Sequence, residues 1–409
     1  MRRLLLLSAM ALSMASCSSS GDSQLSPQFT YMSQMSVQPE DYNADFKQVD
    51  SIVRLKYSHI EAKNINMDSL YTTINQRVMQ AQTPEAYGSL LQEYFAALRN
   101  DHSMALFNSY YLDFSVARVE DKILFSYVGM DSLKMQGVKR ADEILAVGGV
   151  PVLEWLESKE KYRNASTQRG LKLYTTMSAI KNSYSPAKRT YTIMTEQGKK
   201  DITLSFCDAN SQRTNNLETI ASSALTEQIG YIAINSMNDM EVTTKFAEAL
   251  SSIKQLPYLI IDVRNNGGGY SNRSEEIAEY LIKEKQQASV SGDMLEPRDD
   301  RYTGKIYLLT HTTTASAAES FALDLKESAN VTLVGVPTSG DTGNSPMVQA
   351  TSYGTYFNIP TRKPVQVSPK GFPMEGIGIE PHHHIEQSLE DYINDVDTQL
   401  EYLVKMIQG

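Results

Sequence analysis

The sequence predicts an α+β multidomain chain, and three observations predict it. From Pro39 to Leu98 apolar residues recur at helical spacing, as in YNADFKQVDSIVRLKYSHIE and PEAYGSLLQEYFAALRN. From about Ser115 to Phe206 the pattern changes to short strands, such as KILFSYV, broken by glycine and charged turns. From Glu227 onward apolar strands alternate with amphipathic helices, the order that builds an α/β layer through βαβ crossovers. The 409 residues divide accordingly into a leader (1–17), a linker (18–37), a helical domain (38–112), a β-rich domain (113–208) and an α/β domain (209–409).

The leader opens with the basic Met1-Arg2-Arg3, and the apolar run Leu4–Met14 is too short to span a bilayer as a mature helix. It closes in MASC before the polar SSSGDS, which resembles a bacterial lipoprotein signal. That resemblance implies that Cys17 is lipidated and anchors the protein in the cell envelope. An ordinary secretory signal is the alternative. The linker is rich in Ser, Gln and Met and has no period. Beyond Cys17 only Cys207 remains, which excludes an intrachain disulfide in the lipidated protein; after the strand pattern DITLSF it is expected to be buried. A formal charge of −10 argues against nucleic acid as a partner, because no basic stripe is left to neutralise phosphates.

The helical pattern stops at NDHSM, where Asn100, Asp101 and Ser103 flank His102 in a loop. In the β-rich region, MQGVKRADEILAVGGVPVLEWLE reads as glycine turn, strand, Gly-Gly turn, strand and helix. Its Gly137, Val138, Asp142, Ile144, Leu145, Val147 and Gly149 resemble the motif of bacterial protease PDZ domains. The resemblance implies an extended peptide held at a sheet edge, near Gly137, Val138 and Ile144. A small β-rich spacer is the alternative.

In the α/β region IGYIAINSM, YLIIDVR, KIYLLT and VTLVGV read as strands, and TTKFAEALSSIKQL and SNRSEEIAEYLIKE as helices. HTTTASAAESFALDL places Ser316 where a strand turns into a helix. A capping serine, with Glu319 completing a capping box, accounts for it; so does a nucleophile at the positive end of the helix. Taken alone, the capping role is the commoner. IIDVRNNGGGYS ends a strand in three glycines, which suit a turn or an oxyanion hole better than a phosphate loop, since no lysine follows at Walker spacing. Asp262 and Arg264 are expected to be structural.

Together, LIIDVRNNGGG, SAAE, VGVPTSG and MEGIGIEP resemble the C-terminal processing (tail-specific) peptidases and the related tricorn and retinoid-binding-protein-like group. The resemblance implies a catalytic domain of the ClpP/crotonase type, Ser316 as nucleophile, and an oxyanion hole from Gly268 or its neighbours with the Ala317 N–H. One departure stands out: in TSGDTG, Asp341 occupies the position of the processing peptidases' basic lysine. Lys326 lies about three turns from Ser316 along its helix, too far to serve, and Lys370 sits in a loop. The tricorn-like branch implies instead His102 as base, oriented by Glu375, with Asp101 or Ser103 as competing partners. His311 and the PHHHIE run (381–386) are expected to be structural, and no metal or cofactor is expected.

The expected function is an envelope serine endopeptidase acting on peptides or unfolded segments through an acyl-enzyme. The alternatives are a catalytically silent peptide-binding protein on the same scaffold, and a hydrolase of non-peptide esters or lipids.

Overall fold

The structure, a computed structural model, describes residues 37–106, 110–185, 187–208, 217–328, 330–341, 346–364 and 367–409. Cys17, the leader and nearly all of the linker lie outside the described residues. The chain is a mixed α/β multidomain fold, and no helix among the described residues is long and apolar enough to cross a membrane.

Three helices, α1 (Tyr42–Lys56), α2 (Met67–Val78) and α3 (Pro84–Ala96), form the first unit. Their starts obey capping rules: Asn66 accepts the Ser69 N–H at 3.0 Å, and Thr83, before Pro84, accepts that of Ala86 at 3.2 Å. The shared core holds Phe46, Val49, Tyr87, Leu91, Tyr94 and Phe95, but it is completed from far along the chain by Phe357 and Ile359. Those residues belong to the hairpin Pro346–Ala350/Tyr356–Pro360, whose second strand pairs with Met104–Ala105. Buried Asp45 secures the same hairpin by accepting the Thr355 hydroxyl at 2.7 Å. The segment just after His102 is thus stapled between two units.

The β-rich unit is an antiparallel sheet of Phe114–Val119, Lys122–Val128, Glu143–Val147, Arg189–Thr195 and Gly198–Leu204 in sequence order. Helices α4 (Asp131–Lys134), α5 (Val152–Glu157) and α6 (Gln168–Ala179) accompany it. Two of the residues expected to meet a peptide do other work here. Val138 is 4% exposed and Ile144 0%, both in the core of this unit. Gly137, at φ 74°, stops α4: its N–H reaches Lys134 O and the Val138 N–H reaches Leu133 O, the paired bonds of a Schellman motif. At Val138 and Ile144 the motif is a core pattern, so these two side chains pack inward and face no ligand. Cys207 is also corrected. It is exposed, because it lies on a two-residue strand paired with Tyr110–Tyr111 outside the main sheet.

The third unit is a six-stranded sheet in the order Ile220–Ala224, Ile229–Ile234, Tyr258–Asp262, Lys305–Thr310, Val331–Gly335 and His383–His384. Only the first pair is antiparallel. One face packs Ile232, Ile261, Leu308 and Leu333 under α7 (Val242–Ile253), α8 (Ser271–Ala278) and α9 (Ala317–Lys326). The other packs Tyr231, Ile260, Tyr307 and Leu309 under α11 (Thr398–Gln408), which follows the short α10 (Leu389–Ile393). Covering both faces explains why these strands are almost unbroken apolar runs. Helix α8 is shorter than its sequence pattern, since Tyr280, Leu281 and Ile282 are all buried and one helical face cannot bury three consecutive residues. Arg264 ties α11 to the sheet, contacting Asp262 and Asp397 at 2.6 Å each, so both residues serve the structural role expected of them.

Candidate active site

The site lies at the carboxyl ends of the central parallel strands, where open α/β sheets place their ligands. Three loops leave those ends, at 263–270, 311–316 and 336–341. The threonine run before Ser316 sews them together. The Thr312 hydroxyl donates to Pro337 O at 3.0 Å, that of Thr313 to Arg264 O, and that of Thr314 to Val263 O at 2.9 Å. Small β-branched donors suit this place, since each satisfies a neighbouring loop's carbonyl without side-chain bulk.

Ser316 is the N-cap of α9, 3% exposed, with φ 55° and ψ −125°. An ordinary capping residue has extended backbone. A serine held at this angle costs about 1–3 kcal/mol, strain that is typically found at functional turns, and a sharp strand-to-helix turn is the geometry of nucleophile elbows. Gly268 makes room for it. At φ 101°, a Cβ there would lie 2.7 Å from Ser316 Cβ and 2.8 Å from Ala315 O. The Gly268 N–H, however, donates to Asn266 Oδ1 at 2.8 Å, so in this conformation it is not a spare oxyanion donor. The Ala317 and Gly267 amides have no acceptor among the described residues.

His102 comes from the turn after the helical unit. Its N–H binds Asn100 Oδ1 at 3.0 Å, an Asx turn that orients the ring. His102 Nδ1 lies 2.9 Å from Asp341 Oδ2, and Asn100 Nδ2 approaches Asp341 Oδ1 at 3.4 Å. The Asp341 backbone closes the circuit, because its carbonyl accepts the Ser316 N–H at 2.9 Å. Burial pushes the Asp341 carboxyl up, but His102, Lys63 and His59 outweigh it and hold it below its usual range. Contacts therefore run without a break from Gly268 to Ser316, Asp341 and His102.

The other carboxylates expected near His102 have partners of their own. Glu375 Oε1 pairs with Lys63 Nζ at 2.7 Å, their side chains 3% and 8% exposed. Asp341, on its short loop, is at His102 Nδ1, and Glu375 neutralises a buried ammonium. Asp101 accepts the Ser166 N–H at 2.8 Å and the Ser339 hydroxyl at 2.5 Å, and burial pushes its carboxyl up to about 6. Ser103 is buried against Asn100. Lys326 Nζ binds Glu380 O and Lys370 Nζ binds Glu327 O, each at 2.7 Å, at the far end of α9 from Ser316. His311 Nδ1 meets the Thr313 hydroxyl at 2.9 Å, and burial pushes its ring down to about 4. His382, His383 and His384 address three different partners, Leu333 N, Tyr402 and Glu386.

Sequence reasoning missed Asp341 as the partner of His102, along with Asn100, Lys63 and the wider reach of Glu319. Asp341 had a signal, since it fills the position where a base was sought and not found.

Residues 228–385 match Peptidase family S41, and residues 118–206 match the Bacteroidetes S41 peptidase N-terminal domain. The chain belongs to peptidase family S41. An S41 relative, the carboxy-terminal processing protease CtpB of Bacillus subtilis, is 32% identical over 204 residues, 46% of this chain and 41% of that protein. The tricorn protease of Thermoplasma acidophilum is 27% identical over 178 residues, 43% of this chain and 16% of that protein. The matched region thus spans less than half the length of either relative. Among solved structures, mature CPAF superposes with a TM-score of 0.74 at 15% identity, covering 90% of this chain and 96% of that one. A putative peptidase from Parabacteroides merdae gives 0.56 at 16% identity, covering 91% and 97%. At such identities the likeness to these structures speaks to the S41 fold alone.

Proposed function

We propose that the protein is a serine endopeptidase in which Ser316, His102 and Asp341 act as the catalytic triad. One observation carries this reading: a strained serine at a helix start is joined through Asp341 to the ring of His102. Ser316 Oγ attacks the scissile carbonyl carbon, and its proton passes to His102 Nε2. Asp341 holds the proton on Nδ1 and stabilises the imidazolium. The Ala317 amide, at the positive end of α9, receives the developing oxyanion together with an amide of the glycine loop, Gly267 in this conformation. His102 then protonates the leaving amine, and water attacks the acyl-enzyme by the same route in reverse.

The substrate class in this reading is a peptide or unfolded protein segment, supported by the S41 membership and by the name of the Bacillus relative. The β-rich unit is read as PDZ-like and as presenting an extended chain to the site. Cys17 is read as a lipid anchor that places the enzyme in the bacterial envelope.

The test is labelling of the purified protein with a serine-directed fluorophosphonate, followed by peptide mass spectrometry and a peptide-cleavage assay. An adduct on Ser316, absent in Ser316→Ala, is expected alongside cleavage. Peptide binding with neither adduct nor cleavage means the silent binding protein.

A further inference from the structure

Glu319 stands three residues after Ser316, where its side chain would complete a helix cap. Its carboxylate does accept the Ser316 N–H, at 3.3 Å. The same carboxylate also accepts the Gly340 N–H at 2.7 Å, the Asp341 N–H at 2.8 Å and the Thr338 hydroxyl. Thr338 Oγ1 in turn accepts the Ile379 N–H at 2.7 Å. Glu319 is 0% exposed, and no ion pair joins it to a cation among the described residues. A buried carboxylate without a cation is costly unless its oxygens are well supplied with donors. Here the donors come from two separate loops, the nucleophile turn and the Thr338–Asp341 segment. A helix cap needs only the first of them.

We propose that Glu319 is a positioning residue that locks the Ser316 turn to the loop carrying Asp341, and so fixes where Asp341 holds the His102 ring. The inference rests on the Ser316–His102–Asp341 reading. Apart from Glu319, the bonds nearest the nucleophile between the two loops are those from Ser316 N to Asp341 O at 2.9 Å and from Ser339 N to Thr314 O at 3.0 Å. Thr312 Oγ1 to Pro337 O, at 3.0 Å, lies farther back, and each bond is a single point about which the Asp341 end can pivot. A four-donor carboxylate between them removes that freedom, and displacements of about 1 Å in such a constellation cost about 100-fold in rate. Burial, with some repulsion from Asp341, pushes the Glu319 carboxyl up to about 8, while the hydrogen bonds from Thr338, Gly340 and Asp341 pull it down; the geometry of those donors is what carries the inference.

The experiment compares wild type, Glu319→Gln, Thr338→Val and Asp341→Asn by peptide kinetics, thermal melting and NMR titration of ¹³C-labelled His102. Glu319→Gln keeps the shape but turns an amide N–H toward a backbone donor. It is expected to lower kcat by about 10–100-fold with KM within about twofold, and to move the His102 titration toward that of Asp341→Asn. Thr338→Val, which removes one donor, is expected to show a smaller effect of the same kind and decides the matter if Glu319→Gln does not fold. Unchanged kcat together with an unchanged His102 titration in a folded variant overturns the proposal. An inactive wild type overturns the peptidase reading instead, while the titration still judges the role of Glu319.

Discussion

Asp341 Oδ2 lies 2.9 Å from His102 Nδ1, which joins a loop of the α/β unit to a turn at the end of the helical unit. The relationship inverts the meaning of Asp341, since a residue that marks the loss of a lysine base becomes the partner of a histidine base. Asp341→Asn is expected to lower kcat by about 10²–10⁴-fold, because an amide at Nδ1 favours the wrong tautomer. Glu375→Gln is expected to lower it far less. Steady-state kinetics on a peptide substrate checks both, and the reverse ranking would return the orienting role to Glu375.

Lys63 and Glu375 form a buried ion pair between those units. Removing one partner of such a pair strands the other charge, at a cost of about 3–5 kcal/mol. Lys63→Met is therefore expected to lower stability by that order in denaturant titrations. Lys63→Met with Glu375→Leu is expected to recover most of it, because the stranded charge is gone. If Lys63→Met unfolds at the wild-type denaturant midpoint, the pair contributes little.

Much of the architecture was legible because periodicity is local. The run IGYIAI and the spacing of Phe246 and Leu250 each declare a buried strand or a helix face within one element. Ser316 was legible for the same reason, as a polar residue at a strand-to-helix turn. What escaped depends on contacts between distant segments. Nothing in RLKYSHIEAKN says that Lys63 faces Glu375, and nothing in TSGD says which ring Asp341 meets. Val138 and Ile144 show a different limit, because the apolar residues of a motif are often core and need not touch a ligand.

Asp324 offers a pH test of stability. Burial pushes its carboxyl up to about 7, with its hydrogen bonds to Ser289 pulling the other way and Glu275 and Glu327 adding repulsion. A carboxyl whose pKa is higher in the folded than in the unfolded chain contributes stability that is full below about 4 and is lost as pH rises toward 7. Asp324→Asn keeps an oxygen for the Ser289 N–H, 2.7 Å away in the wild type, and removes the proton exchange. Its melting temperature is expected to depend less steeply on pH between about 4 and 7 than that of wild type. Parallel curves would show that Asp324 ionises normally in the fold.

The backbone of Ser316 makes opposite predictions for stability and activity. At φ 55° a side chain is strained, while glycine is not. Ser316→Gly is therefore expected to hold or raise stability, by up to about 1 kcal/mol once its greater unfolded-state entropy is set against the relieved strain. It should also abolish cleavage. Ser316→Ala keeps the strained angle and should be equally inactive with no such gain. Gly268→Ala runs the other way, since its new Cβ would meet Ser316 Cβ at 2.7 Å and Ala315 O at 2.8 Å, with φ 101° already disfavoured for alanine. That variant should lose stability and, if it folds, push the nucleophile turn out of place, so that both melting temperature and phosphonate labelling fall. The decisive comparison is the melting temperature of Ser316→Gly against Ser316→Ala. A glycine variant no more stable than the alanine one would mean that the turn is unstrained, and that the angle of Ser316 carries no argument for a nucleophile.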